Sequence, residues 1–419
     1  MSDQVPLSSF AEVNPLRGKL PADVDEASFI TMADVSDTAR WLNRQTRQVK
    51  DVKSGYTFFR EGDVLVAKIT PCLENGKGCH AIGLKNAIGF GSTEFHVLRA
   101  RDNADAAFIF QLTNSAELRQ QAAMKMTGSA GQQRVPAQFI ADYPIHIFTK
   151  AQQSKIAQVL ATLDRAITQT DALLAKQQRV KAGLMQELLT SGINADGKMR
   201  PSQASASTLY SGWQVRRLGD VAEVASGLTL GRVLEGPNLL TLPYLRVFNV
   251  QDGYLDLSDV KTVAIRPDEL PRYCLQKGDV LMNEGGDFDK LGRGAVWEGQ
   301  IELCLHQNHV FRVRTNRKVL LPDFLAWISA SAYGKVFFVL NSKQSTNLAS
   351  INSTQLKSFP IPCPDVEEQE RILEVVREQD AVLASTQNSL RKMRSLKAGL
   401  MQDLLTGKVS VLPLMNESV

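Results

Sequence analysis

A chain of 419 residues with 43% apolar and 22% charged side chains has the composition of a soluble globular protein of two to three domains. Its formal net charge of +4 is too small to announce a polyanion partner, and five scattered cysteines argue against a disulfide framework and fit a reducing cytosol. The opening MSDQVPLSSFAEV lacks an apolar signal core, and no stretch approaches the roughly 18 uncharged apolar residues of a membrane span, so a cytoplasmic protein with no membrane partner is expected.

Residues 1–150 hold short apolar runs, such as 63–69 and 93–98, punctuated by Gly, Asn and Asp. That is the pattern of strands and turns, with a helical piece expected over 106–126. In 151–192, Ile156, Leu160, Leu163, Ile167, Thr170, Leu174, Gln177, Lys181, Leu184 and Leu188 step alternately by four and three. The average period of 3.5 is that of a coiled-coil seam. Residues 193–212 are small and polar, the composition of a linker. A second mixed domain is expected over 213–366, with apolar runs at 280–283 and 309–313 and helical pieces over 322–340. A second helix follows over 367–407, its seam running Ile372, Val376, Gln379, Leu383, Thr386, Leu390, Met393, Lys397, Leu400 and Leu404, and 408–419 form a tail.

The second half repeats the first. KAGLMQELLT at 181–190 returns as KAGLMQDLLT 216 residues later. The same offset carries Gly62-Asp63-Val64-Leu65 onto Gly278-Asp279-Val280-Leu281, and Phe95 and Val97 onto Phe311 and Val313. It also carries Tyr143-Pro144-Ile145 onto Phe359-Pro360-Ile361, and Gln153 and Ile156 onto Gln369 and Ile372, which implies no net insertion from 62 to 190. The order domain, rod, linker, domain, rod lets the second rod fold back on the first, giving an α+β dumbbell with pseudo-two-fold symmetry.

Catalytic signatures are missing. The chain has no Gly-x-x-x-x-Gly-Lys-Ser/Thr phosphate loop, no Asp/Asn-Pro-Pro-Tyr/Phe methyltransferase box, no Gly-x-Ser-x-Gly elbow and no His-Glu-x-x-His pair. Cys72, Cys79 and His80 have the wrong spacing for a zinc pair and no counterpart in the other half, so a turn beside a strand is expected there. His306 and His309 are expected to be polar residues at a strand edge. Framework residues repeat whereas loops do not: KITPCLENGKGCHAIGLK stands in one half where NEGGDFDKLGRGAVWEGQ stands in the other. Two scaffolds with different loops imply two different targets.

The ordered set of motifs, occurring twice, resembles the specificity (S) subunit of type I restriction–modification systems. Its marks are the GDVL strands, the F-x-V strands and the turns at Gly128-Ser129-Ala130-Gly131 and Ser345-Thr346-Asn347. The YPI and FPIP stretches, the Gln-x-x-Ile helix starts and the KAGLMQ helix ends complete it. The first half departs in lacking the Trp213, Leu218-Gly219-Asp220 opening, so its domain is expected to start differently. The resemblance implies two target recognition domains separated by an antiparallel pair of long coiled-coil helices, the conserved spacers. It implies no enzyme activity and no cofactor in this chain, which would read a bipartite double-stranded DNA target. Two modification (methyltransferase) subunits would dock on it, and restriction (motor-nuclease) subunits through these, with S-adenosylmethionine, ATP and Mg2+ on the partners. The rods would act as a ruler between half-sites about one helical turn apart.

Base readout needs Arg, Lys, Asn and Gln side chains in a groove, and phosphate contacts need cations and free amides. Loop candidates in the first half are Arg40, Asn43, Arg44, Lys68, Asn75, Lys77 and Lys85, and in the second Arg232, Arg246, Asn249, Asn283, Lys290, Arg293, Gln307 and Asn308. The turns offer Ser129, Gln132, Gln133 and Arg134 in one half and Lys343, Gln344, Ser345 and Asn347 in the other. An alternative is a non-catalytic adaptor whose two domains hold protein partners.

Overall fold

The two Gly-Asp-Val-Leu runs become the central strands of two matching sheets. The structure, a computed structural model, describes residues 4–416 apart from 19, 21–23, 130, 202–209, 211, 233, 235–237, 287–290 and 345–348. In the first domain, Val64–Ala67 lies between Phe95–Ala100 and Gly78–His80, with Ala11–Val13 on the far side of Phe95–Ala100, all antiparallel. The second domain repeats the order with Val280–Asn283, Val310–Thr315, Gly294–Val296 and Ala222–Ser226. Val64 and Val66 join a core with Phe108 and Leu112 of the helix Ala106–Thr113, while Leu65 packs with Ile30 and Phe59. Period-two alternation thus feeds two cores, which is why the strand is apolar at every position. A second sheet, Gln45–Gln48, Glu26–Ile30, Ile88–Gly91 and Thr57–Arg60, supplies that other layer. Its counterpart in the second domain has three strands, Lys261–Ile265, Leu240–Leu245 and Leu305–His306.

Asp63 is buried and accepts from the Arg60 amide (2.7 Å) and the Arg99 guanidinium (2.7 Å). Asp279 does the same with the Gln276 amide (2.8 Å) and Arg314 (2.7 Å). Gly62 and Gly278 precede them at φ 83° and 91°, a left-handed conformation in which a side chain is strained. These contacts correct the repeat register by one residue: Val64 pairs with Leu98 whereas Val280 pairs with Val313. Phe95 is therefore equivalent to Val310, not Phe311, and the second domain is one residue shorter between Gly294–Val296 and Val310–Thr315 than the first between Gly78–His80 and Phe95–Ala100.

The Gln-x-x-Ile starts have a common cause. Gln153 and Gln369 are both fully buried. Gln153 accepts from the Asp105 amide (2.9 Å) and donates to Phe148 O (3.0 Å), and Gln369 accepts from the Leu321 amide (2.8 Å) and donates to Pro364 O (2.9 Å). Each amide side chain pins a long helix to its own domain. The helices are Lys150–Ser191 and Val366–Leu405, roughly 60 Å long at 1.5 Å per residue.

The chain divides into two units, Met1–Leu173 with Thr386–Val419, and Leu174–Ser385. In the first, Lys397 pairs with Asp164 (2.6 Å) and Arg394 with Asp171 (2.9 Å), so the helix segments run antiparallel. In the second, Lys181 pairs with Asp380. The KAGLMQ ends leave the seam for the globular cores. Met401, Leu404 and Leu405 pack with Phe148 and Ile156, and Leu188 and Leu189 with Trp213, Leu218 and Phe359. Burying each of these leucines is worth about 1.5–3 kcal/mol. The middle of the seam is less well covered: Thr170, Leu174, Gln177 and Lys181 are half-buried.

Three further expectations change. The stretch read as a linker contributes Ile193 to the second core, and its Arg200 pairs with Glu368 (2.5 Å). In the tail, Val411 is buried in the first core and Leu412–Asn416 is helical. The first domain starts as the second does: Gln4–Pro6 pairs with Pro144–His146, as Gln214–Arg217 pairs with Pro360–Cys363. Leu7 then donates to Tyr143 O and Leu218 to Phe359 O, each at 2.8 Å.

Candidate nucleic-acid interface

Beyond the frame, both domains build a rim from a hairpin and a loop at matching positions. The chain leaves the last domain helix into a hairpin that leans on the loop after the GDVL strand. In the first domain Arg134 bridges to Ile69 and Thr127. In the second, Ser350 pairs with Gly285 and Lys343. All three second-domain positions lie 216 residues on. The amides of Thr70 and Val135 donate to Gln133 O and Lys68 O (both 2.9 Å), and the Ile351 amide to Glu284 O (2.8 Å). At Gly128 (φ 129°) an added Cβ would fall 2.9 Å from Gln132 O, so only glycine closes this turn.

The first-domain candidates divide by what already holds them. Asn43, Asn75, Ser129 and Gln132 are exposed, while Arg40, Lys68 and Gln133 are half-buried. The Arg134 guanidinium grips Glu94 through Nη2 (2.7 Å) and Nε (2.9 Å) and holds that carboxyl below the ordinary glutamate range. Arg134 therefore braces the hairpin against the Ser92–Glu94 turn. Arg44 lies 4.4 Å over the Trp41 ring and donates to Ile82 O (3.2 Å) and Gly83 O (3.1 Å). Lys77 Nζ donates to Met32 O (3.1 Å), tying two loops together, and Lys85 pairs with Glu26 at 3.6 Å.

In the second domain the rim encloses a cleft of about 770 Å³ lined by Arg246, Phe248, Gln307, His309, Lys343 and Gln344, among others. Four of these six were legible as candidates. Lys343 and Gln344 are exposed on the hairpin, and Gln307 and Asn308 are half-buried. Arg246 is held by Asp259 (2.9 Å), whose carboxyl it lowers, and Arg232 pairs with Glu269 (2.5 Å). Arg293 donates to Gln251 Oε1 (3.1 Å).

Two candidates are structural. Asn249 is fully buried; its Oδ1 accepts from the Arg246 amide (2.9 Å) and its Nδ2 donates to Asp256 O (2.8 Å) and Asp259 O (3.0 Å). Asn283, 1% exposed, donates to Val250 O at 3.0 Å. Their amides satisfy loop carbonyls that would otherwise be buried unpaired, so they shape the loop and cannot reach a ligand. Lys290, Ser345 and Asn347 lie outside the described residues.

Two rim residues escaped sequence reasoning. Phe248, 53% exposed, reads in sequence as a core residue. His309, a polar residue at the start of the strand Val310–Thr315 as expected, also lines the cleft and pairs with Glu284 (2.6 Å). His306 ends Leu305–His306, the outer strand of its three-stranded sheet, yet it is fully buried; it donates from Nδ1 to Val310 O (2.7 Å), and burial pulls its pKa down to about 4. Cys79 is buried with its thiol pushed up to about 12, and the His80 ring stacks on Phe110 at 5.8 Å.

A family model described as the type I restriction modification DNA specificity domain matches residues 5–176 and 210–392. A putative type I restriction enzyme MjaX specificity subunit of Methanocaldococcus jannaschii is 29% identical over 46% of this chain and 45% of its own length. The type I restriction enzyme EcoAI specificity subunit of Escherichia coli is 36% identical over 44% of this chain and 32% of its own length. The matches thus span less than half of either relative. A chain from a structure of type I R-M complex assembly and conformational transition superposes with a TM-score of 0.60 at 19% identity, covering 97% of this chain and 98% of that one, which shows a shared fold. Two framed domains with matching rims, each falling within a matched segment, place this chain in the family of type I restriction–modification DNA specificity domains.

Proposed function

We propose that the chain recognises a two-part double-stranded DNA target, one part per globular domain, and is the scaffold on which the methyltransferase subunits of a type I restriction–modification complex dock. The observation that carries this reading is the repeated rim. Two domains with the same frame present hairpins and loops at equivalent positions, dressed with different cationic and amide side chains. Hairpin amides and exposed cations suit phosphates, while Gln, Asn and Arg side chains suit base edges. The rods support docking: Val180 and Leu396, 216 residues apart at the start of the KAGLMQ segments, are 52% and 54% exposed. Two modification subunits, one per repeat, would bring S-adenosylmethionine and the chemistry of adenine methylation. Restriction subunits with ATP and Mg2+ would join through them, leaving recognition to this chain.

The test is affinity of the full chain, assembled with its methyltransferase subunits, for duplex DNA against salt concentration. The reading predicts a steep linear loss of log affinity with log salt, because phosphate contacts release counterions. A flat response, or no preference for the system's own methylated motif over a scrambled duplex, would show an adaptor for proteins instead.

A further inference from the structure

Phe248 stands on the rim of the second-domain cleft with 53% of its surface exposed. A lone exposed aromatic is common on protein surfaces; what distinguishes this one is how firmly its loop is fixed. Gln251 Nε2 donates to Phe248 O at 2.7 Å, and the buried Asn249 side chain ties the same turn to Arg246, Asp256 and Asp259. The Arg246 guanidinium lies 5.7 Å from the ring centroid and is itself anchored to the carbonyl (2.8 Å) and carboxylate (2.9 Å) of Asp259. Presenting the ring to a ligand therefore costs little loop ordering.

The first domain supplies the comparison. Its equivalent turn is capped in the same way, with the Thr31 amide donating to Asp34 at 2.8 Å as the Arg246 amide donates to Asn249 at 2.9 Å. By that register Phe248 corresponds to Ala33, which is also exposed. The same backbone carries a methyl group in one domain and a phenyl ring in the other. Around the ring, Gln307, His309, Lys343 and Gln344 offer hydrogen bonds, and Phe248 is the largest apolar side chain of the lining. The one apolar feature that distinguishes base pairs in the major groove is the thymine 5-methyl group.

Resting on the DNA-recognition reading above, we propose that Phe248 contacts the 5-methyl group of a thymine in the part of the target read by the second domain, and so determines specificity there. The contact discriminates thymine from cytosine at that base pair, and the first domain, with Ala33, presents no ring at the equivalent position.

The test uses the full chain assembled with its methyltransferase subunits and a duplex bearing the motif mapped by methylation. Deoxyuridine replaces each thymine in turn, which removes only the methyl group. The wild type is expected to lose about four-fold in affinity at one thymine of the second half, the worth of one buried methyl group. Phe248→Ala should weaken binding to the parent duplex and bind the thymine and deoxyuridine forms equally, and Phe248→Leu should retain part of the discrimination. An unchanged melting temperature for Phe248→Ala shows that the exposed site, not the fold, was altered. The inference is overturned if no second-half thymine is sensitive in the wild type, or if Phe248→Ala still discriminates. Failure of the wild type to prefer the motif over a scrambled duplex would instead overturn the underlying DNA-recognition reading.

Discussion

In the first domain Asp63 is buried between an amide and Arg99, and in the second Asp279 is buried between an amide and Arg314. A few residues past each strand the likeness ends. The first rim sets Arg134 of the hairpin on Glu94, whereas the second sets His309 on Glu284, with Ser350 at the hairpin position of Arg134. Bonds that hold strands and helix starts recur at matching positions, and side chains that face outward from the loops do not. The difference separates two tasks: one set of residues builds a holder, and another is free to diverge with the target.

If the frames are equivalent, removing the same group from each should do equal harm. Asp63→Ala and Asp279→Ala should each cost about 3 kcal/mol, at the low end for a buried pair because Arg99 and Arg314 keep 25% and 30% of their side chains exposed. Denaturant unfolding of the two variants checks this, and clearly unequal losses would break the comparison. His306 offers a pH test specific to the second domain. Its folded pKa lies below its ordinary value of 6.5, so the unfolded chain binds the extra proton. Stability is full above pH 6.5 and falls as pH drops toward about 4. The loss should reach about 2 kcal/mol by pH 5, seen as a fall in melting temperature that His306→Asn flattens.

The helices test the ruler. Ser191 is 3% exposed beside the second core, so a length change belongs further in, between Thr170 and Gln177 and between Gln379 and Thr386. A heptad added to both, about 10 Å of helix, should change the gap in the methylated motif by a base pair or more and leave both specific parts intact. The smallest effect is expected at the hairpin. Lys343→Ala should reduce the salt slope of DNA binding by about one, and Gln132→Ala should leave that slope unchanged.

The frame was legible because its signals are periodic or repeated: GDVL twice, a 3.5-residue seam twice, and Gln-x-x-Ile twice. The packing of Leu188, Leu189, Leu404 and Leu405 into globular cores was not, since a seam residue and a core residue look alike in sequence. The one-residue slip at Phe95 was hidden by a chance match with Phe311, and the Asp–Arg pairs reveal it. The rim was legible only by residue type. Asn249 and Asn283 have the chemistry of base readers, but loop carbonyls claim their amides. Phe248 has the chemistry of a core residue, but a capped turn holds it outside.

The central claim is that each domain reads its own part of the target. Residues 213–366 of this chain, exchanged for the second domain of another family member, test it through the methylated motif mapped in cells that carry the assembled system. The account predicts that one specific part of the motif changes to that of the donor while the other part and the gap between them stay as they were. A motif altered in both parts, or in neither while methylation persists, would contradict it.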